Sequence, residues 1–312
     1  MTISAEIIKD SINSNGVRIT TMCVEYPRFI HSEVMTHRMF SRNSASSRAI
    51  PVAKVIEQVK NNPAEPVHWG KNQSGMQAKE ELEGIFKSAA RYSWLSAAEE
   101  TANRAGILSN MGLHKQVVNR LLEPFQTMKV IITATEWNNF WYLRDHEDAQ
   151  PEIQKLARVM RGAYDYSKPE QLSFDMWHLP YVTTKIETSE SGKDQQTYWL
   201  DEHTQISLED AIKISCSCAA QVSYRKLDTS LEKAKDIYSK LVESEPVHAS
   251  AFEHVAKPMK VDKWPEYISP DVWIDYEEAG ITHADRDMYY WSGNFKGWIQ
   301  YRQLIPNNVK KG

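Results

Sequence analysis

The segment Met128–Thr135, MKVIITAT, reads as a buried strand, and Val17–Tyr26, alternating and rich in β-branched residues, reads as a second. Almost everything between and after them has a helical pattern. Pro27 opens a helix predicted to run to about Met39, and Pro51 starts another. Met76–Leu108 carries Leu82, Ile85, Phe86 and Ala89 at three-to-four spacing, and Lys115–Leu122 stops near Pro124. Ser41–Arg48, SRNSASSR, is small and polar and reads as a structured loop; Asn61–Gly75, with Pro63, Pro66, Gly70 and Gly75, must be irregular. Beyond the second strand, Glu136–Arg144, Pro151–Tyr164, Leu208–Gln221 and Leu231–Glu243 read as helices. Lys185–Gln196 reads as an exposed hairpin tip or loop, and the aromatic tail Trp291–Ile305 is open between strand and helix.

A chain of 312 residues suits one large domain or two modest ones, and 41% hydrophobic with 25% charged residues is an ordinary soluble composition. The net charge of −4 excludes wholesale affinity for nucleic acid or membrane, but not a local site for a small anion. Three cysteines, Cys23, Cys216 and Cys218, do not make a disulfide framework. Cys216-x-Cys218 lacks the second pair or nearby His that zinc needs, so no metal site is expected and the thiols read as buried. The start, MTISAEIIKDS, has no apolar core of signal-peptide length, and no stretch is apolar enough to span a bilayer. The chain reads as a cytoplasmic, reduced protein.

Three polar clusters carry chemistry. Thr36–Arg48 holds His37, Arg38, Arg42 and Arg48 among Ser41, Asn43, Ser44, Ser46 and Ser47. Guanidinium forks bind phosphate bidentately, and small residues let backbone N–H groups approach the same anion. The bland alternative is a solvated basic loop, and the residues alone leave the two even. Thr135–Gln154 sets Asn138, Asn139, Arg144, His146 and Gln150 amid aromatic residues, a mix that can grip a planar heterocycle with an anionic tail. Taken by itself, the cluster reads better as an ordinary amphipathic helix pair with capping. Cys218–Arg225, CAAQVSYR, and Pro246–His254, PVHASAFEH, add His248, Ser250, Glu253 and His254. A lone His is more often structural than catalytic.

Together the clusters resemble flavin-dependent thymidylate synthases. That family is marked by Arg-His-Arg, seven residues, then Ser; here Thr36-His37-Arg38, seven residues, then Ser46 keeps the spacing and loses the first Arg. The family's later helix is matched by Asn139, Phe140, Leu143, Arg144, Ala149-Gln150 and Glu152-Ile153. Two segments that usually come first in the family, as Ala220–Tyr224 and His248–His254, here come last, so the chain looks like a circularly permuted, divergent member.

The resemblance implies an α+β fold, an antiparallel sheet with flanking helices, and a homotetramer with active sites at subunit interfaces. It implies one catalytic domain over 1–312: a core at 18–166, an insertion at 167–208, a permuted flavin-contact segment at 209–256 and an unassigned tail at 257–312. It implies FAD, NADPH as reductant, and methylenetetrahydrofolate giving a one-carbon unit to C5 of a pyrimidine deoxynucleotide monophosphate, by default dUMP to dTMP. His37, Arg38, Asn139, Ser223, His248 and Ser250 would contact FAD. Ser46 and Arg48 would hold the nucleotide phosphate, Gln116 and Arg120 would flank it, and Arg144 would face the pyrimidine carbonyl. Ser46 and Arg144 are thus the expected catalytic residues, with Glu33 and Arg38 also toward the substrate. Thr133 and Thr135 fall where the family carries Asn and Arg for the flavin's adenosine end. Glu33 stands where the family has Gln, so it could accept from the exocyclic amine of cytosine, or merely pair with Arg38 or Arg42. Rival outcomes are a hydroxymethyl product on dUMP or dCMP, and a non-catalytic flavin- or nucleotide-binding relative.

Overall fold

The computed structural model describes residues 3–189, 192–223, 227–245, 247–263 and 278–309. The N-terminal half runs β1 (Ser4–Asn13), β2 (Arg18–Pro27), α1 (His31–Met35), β3 (Ser41–Ser44), α2 (Val52–Asn61), α3 (Gly84–Asn110), α4 (Lys115–Leu122), β4 (Thr127–Ala134), α5 (Asn138–Arg144) and α6 (Pro151–Tyr166). Next come β5 (Glu170–Leu172), β6 (Thr183–Thr188), β7 (Asp194–Trp199), β8 (Gln205–Ile206), α7 (Leu208–Ala220) and α8 (Leu231–Val242). Short strands close the chain: β9 (Ala256–Pro258), β10 (His283–Ala284), β11 (Tyr290–Ser292), β12 (Phe295–Lys296) and β13 (Trp298–Gln300).

The fold is α+β. Its main sheet has the order β3-β4-β2-β1-β5, antiparallel throughout except for the β1–β5 pair. Alternation in β2 and β4 gives the sheet two apolar faces. Met22, Val24, Tyr26, Val130 and Ile132 point to a core completed by α1, α5 and α6. Ile19 and Ile131 point the other way, onto Ala219, Ala251, Phe295 and Trp298 from the C-terminal half. This two-sided burial is why MKVIITAT shows no polar alternation. A separate cluster joins α2, α3 and α4, with Ala98, Ala102 and Ala105 as the buried stripe of α3.

Several boundaries differ from the sequence reading, each for a physical reason. The helix after Pro27 is a 3-10 turn, Arg28–Ile30, then α1, which ends at Met35. Its end is capped by side chains: Thr36 Oγ1 donates to the Glu33 carbonyl (2.7 Å), and Arg42 donates to the carbonyls of Val34 (3.0 Å) and His37 (3.1 Å). SRNS is an edge strand, β3, made by pairing Ser41 through Ser44 with Thr133 through Val130 and not by propensity. The long helix starts only at Gly84, because residues 69–82 pair back on themselves: Lys71 N donates to Glu80 O and Leu82 N to Trp69 O. The tail resolves as strands β11 to β13 followed by a 3-10 turn, Tyr301–Leu304.

On the C-terminal face, five side chains with no exposed surface form one hydrogen-bonded seam. Ser11 Oγ meets His178 Nδ1 (2.9 Å), His178 Nε2 meets Thr21 Oγ1 (2.9 Å), Thr21 meets Thr133 Oγ1 (2.7 Å), and Thr133 meets His254 Nδ1 (2.8 Å). Burial holds both imidazoles neutral, His254 lowered to about 3 and His178 well below its ordinary value. The unfolded chain keeps the ordinary imidazole value near 6.5. Below that pH it takes up protons the folded chain refuses, so this contribution is full above about pH 6.5 and is lost as pH falls toward the folded values. The expected slope is about 1.4 kcal/mol per pH unit for each imidazole. Urea midpoints measured at pH 7.5 and pH 5 should show the loss. Equal midpoints would mean that the two rings are not neutral in the fold.

Candidate active site

The site is assembled where the end of α1 meets the end of α5. Arg144, the last residue of α5, sends its guanidinium back across α1. Nε donates to His37 Nε2 (2.9 Å), one terminal nitrogen pairs with Glu33 Oε2 (3.3 Å), and the other donates to Thr36 Oγ1 (3.3 Å). Since His37 Nε2 accepts, its ring proton sits on Nδ1. The ring is nearly buried, edge-on to Phe140 (4.9 Å between centroids) and tilted against Phe40 (5.7 Å). Burial first, then the charges of Arg144 and Arg42, lower His37 to about 4. His37 is therefore a neutral strut that orients a permanent cation.

Two cavities share Arg144. One, of about 310 Å³, is lined by Thr36, His37, Arg38, Phe40 and Asn139 as well as Arg144. The other, of about 790 Å³, has Glu33 and Arg144 on one wall, Phe29 and Trp94 on another, and Gln77 and Gln150 from the segments that close it. Buried Glu152 fixes that closure by accepting the Val67 backbone N–H (2.6 Å).

The expected site residues fall into separate groups. Glu33, His37, Arg38, Asn139 and Arg144 come together at these cavities. Ser46 and Arg48 lie exposed on the turn after β3, and Gln116 and Arg120 lie exposed on α4. Buried Asn119 ties that turn to α4 by donating to the carbonyls of Ser47 (2.6 Å) and Ile50 (2.9 Å). Glu123 adds to the tie, accepting from Ser47 (3.2 Å) and pairing with Arg28 (3.0 Å) and Arg120 (3.1 Å). His248 and Ser250 are exposed at the start of the 3-10 segment Ala249–His254, and neither lines the cavity that holds His37 and Arg38. The Ser223 side chain, Tyr224 and Arg225 lie outside the described residues. The late segment does reach β3 in the same chain: Asn43 donates to the Ala219 carbonyl (3.3 Å), and Val222 shares a cleft of about 480 Å³ with Ala45, Ala49 and Lys129.

Two polar positions have other work. Arg42 caps α1 from inside through one terminal nitrogen. Thr133 belongs to the buried seam, and Thr135 Oγ1 accepts the backbone N–H of Lys296 (3.0 Å). The tail also braces the smaller cavity, which no sequence signal announces. Asn294 donates to the Met39 carbonyl (2.9 Å) and accepts from Ser41 (3.1 Å) and Gln300 (2.9 Å).

A family model described as thymidylate synthase complementing protein matches residues 16–169. That segment, just under half of the chain, is similar to this family. It contains β2 through α6, hence α1, α5 and the whole His37–Arg144 contact. No curated protein matches the chain. Similar solved structures include a UMP/dUMP methylase, PolB, from Streptomyces cacaoi bound with 5-Br UMP, at 16% identity, covering 52% of this chain and 88% of that one, with a TM-score of 0.42. The same methylase bound with 5-Br dUMP aligns at 16% identity over 52% and 90% of the two chains, with a TM-score of 0.43. The flavin-dependent thymidylate synthase ThyX from Helicobacter pylori, complexed with FAD and dUMP, aligns at 18% identity over 47% and 67%, with a TM-score of 0.33.

The cation beside His37 has a measurable signature. Arg144→Ala removes a positive charge and a donor from the imidazole, so the His37 titration should move up from about 4 toward its ordinary value. Ring NMR across pH 3 to 7 reads this directly. An unmoved titration would show that burial alone sets the ring's state.

Proposed function

We propose that this chain transfers a one-carbon unit from methylenetetrahydrofolate to C5 of a pyrimidine deoxynucleotide monophosphate, using FAD; from dUMP the product would be dTMP. The observation that carries the reading is the Arg144 guanidinium, fixed at three points beside Arg38 and Asn139. The match of residues 16–169 to the thymidylate synthase complementing protein family supports it.

Arg144 would face a ring carbonyl of the pyrimidine. A fixed cation there stabilises the negative charge that builds on the ring as C5 becomes nucleophilic, without reorganising at the moment of reaction. His37 contributes orientation: a neutral acceptor on Nε holds the fork in plane, which an imidazolium could not do. Ser46 and Arg48 supply a hydroxyl and a guanidinium for the phosphate. Arg120, paired with Glu123, stands on the neighbouring helix with Gln116.

The residues fit a flavin in parts. Arg38 and Asn139 offer exposed donors to polar ring or phosphate groups, and Phe40 and Phe140 give the smaller cavity an aromatic wall. When bound, the flavin would supply the redox chemistry of the one-carbon transfer, with NADPH as the reductant. A cavity of about 310 Å³ takes a ring system rather than a whole dinucleotide. The remaining contacts, including Ser223, His248 and Ser250, would come from other surfaces, and a homotetramer provides them.

Two experiments test the reading. Added FAD should give flavin absorbance on the protein and raise its melting temperature, since a ligand that binds only the native state must stabilise it. Neither effect at saturating FAD would end the flavin assignment. Arg144→Ala should keep its fold and lose roughly two to three orders of magnitude in turnover. Arg144→Lys should not rescue it, because a lysine cannot reach His37, Glu33 and Thr36 with one planar fork. Near-normal turnover in either variant would make the Arg144 contacts structural only. Mass spectrometry of the product separates a methyl from a hydroxymethyl group.

A further inference from the structure

We propose that Glu33 and Arg144 read the substrate base as one unit, and that the base they fit is a 4-aminopyrimidine, cytosine, in preference to uracil. The proposal rests on the reading above, in which a pyrimidine nucleotide sits against Arg144.

The argument is a count of hydrogen-bonding groups. An arginine has five N–H bonds. Arg144 spends one on His37, one on Glu33 and one on Thr36, so among the described residues each terminal nitrogen keeps one N–H without a partner. Thr36 cannot hand a proton back, because its own hydroxyl hydrogen goes to the Glu33 carbonyl. Glu33 binds Arg144 through Oε2, and its Oε1 makes no hydrogen bond to any described residue. The pair therefore presents two donors beside one acceptor. Both residues open onto the larger cavity, where Phe29 and Trp94 offer apolar faces to a planar ring.

Cytosine carries the complementary edge: O2 and N3 accept, and the amine at C4 donates. Each of the three groups on the protein finds a partner, and a carboxylate accepting from cytosine N4 is an established pairing. Uracil in the same place mismatches twice. Its O4 meets a carboxylate oxygen, and its N3–H meets a guanidinium N–H. A shifted uracil can give N3–H to Glu33 and one carbonyl to Arg144, but it leaves one N–H of the pair unmatched.

Sequence alone left Glu33 between reading a base and pairing with Arg38 or Arg42. The structure gives Glu33 neither partner: Arg42 is turned onto the α1 carbonyls, and exposed Arg38 lines the smaller cavity, which Glu33 does not. Glu33 pairs instead with Arg144, the residue assigned to the base. If Glu33 only braced Arg144, its loss would weaken both nucleotides alike. If it reads position 4, its loss changes their ratio.

The test is equilibrium binding of dCMP and dUMP to the full-length chain loaded with FAD, followed by calorimetry and by tryptophan fluorescence, since Trp94 lines the cavity. The wild type should favour dCMP by roughly 10- to 100-fold, the range for one correctly read base edge. Glu33→Gln, whose amide can either donate or accept, should bring the ratio close to one. Thr36→Val, which loosens Arg144 without touching the acceptor, should weaken both nucleotides and leave the ratio where it was. A wild type that favours dUMP, or a ratio unmoved in folded Glu33→Gln, overturns the proposal while leaving nucleotide binding intact. Binding of neither nucleotide by the wild type would take down the functional reading itself. Should Glu33→Gln not fold, the wild-type ratio alone still decides.

Discussion

Thr21 and Thr133 face each other in register across β2 and β4, and the 2.7 Å contact between their hydroxyls is the middle of the seam that joins the two halves of the chain. Each threonine also binds one buried imidazole from the C-terminal half, His178 on one side and His254 on the other. A buried hydroxyl without a partner is costly, so the face of the sheet that carries these groups accepts only a cover that brings matching nitrogens. That requirement specifies how the C-terminal half docks, over and above the apolar contacts of Ile131 with Ala219 and Ala251. It also commits the Thr133 hydroxyl to the chain's own residues, as the Lys296 N–H does that of Thr135.

The opposite face carries the Arg144 cluster, and its logic is electrostatic. Arg144 is held by a neutral ring, a hydroxyl and a carboxylate. These partners differ in kind. The imidazole fixes direction at no cost in charge, the carboxylate offsets charge, and the hydroxyl does little of either. A cation braced in this way is directed without being fully neutralised. Burial and the neighbouring guanidiniums keep His37 uncharged, so the ring and the cation do not compete.

Much of this was legible in sequence where a local pattern decides the structure. MKVIITAT is β4, Val17–Tyr26 is β2 within a residue, Lys115–Leu122 is α4, and the Lys185–Gln196 region is the β6–β7 hairpin. The strand β3 was not legible, because Ser41–Ser44 has no strand propensity and is extended only by its partner. The end of α1 was missed because its caps, Thr36 and Arg42, act through side chains. At the site, His37 and Arg144 could each be singled out, but not the bond between them, which joins residues 107 apart. Asn294 and Gln300 gave no signal at all, since a buried amide declares its role only through what surrounds it.

The Asn294 brace has a consequence for the order in which the molecule matures. Its partner carbonyl, Met39, lies 255 residues earlier in the chain. Lys296 closes on Thr135 across 161 residues. On a ribosome, the strands and helices around His37 and Arg144 emerge long before the turn that braces the cavity beside them. Contacts so distant in sequence form late and slowly, and until then the Met39–Ser41 edge and Thr135 stand without their partners. The cavity is thus among the last parts of the protein to be finished, although most of its lining is among the first to be made.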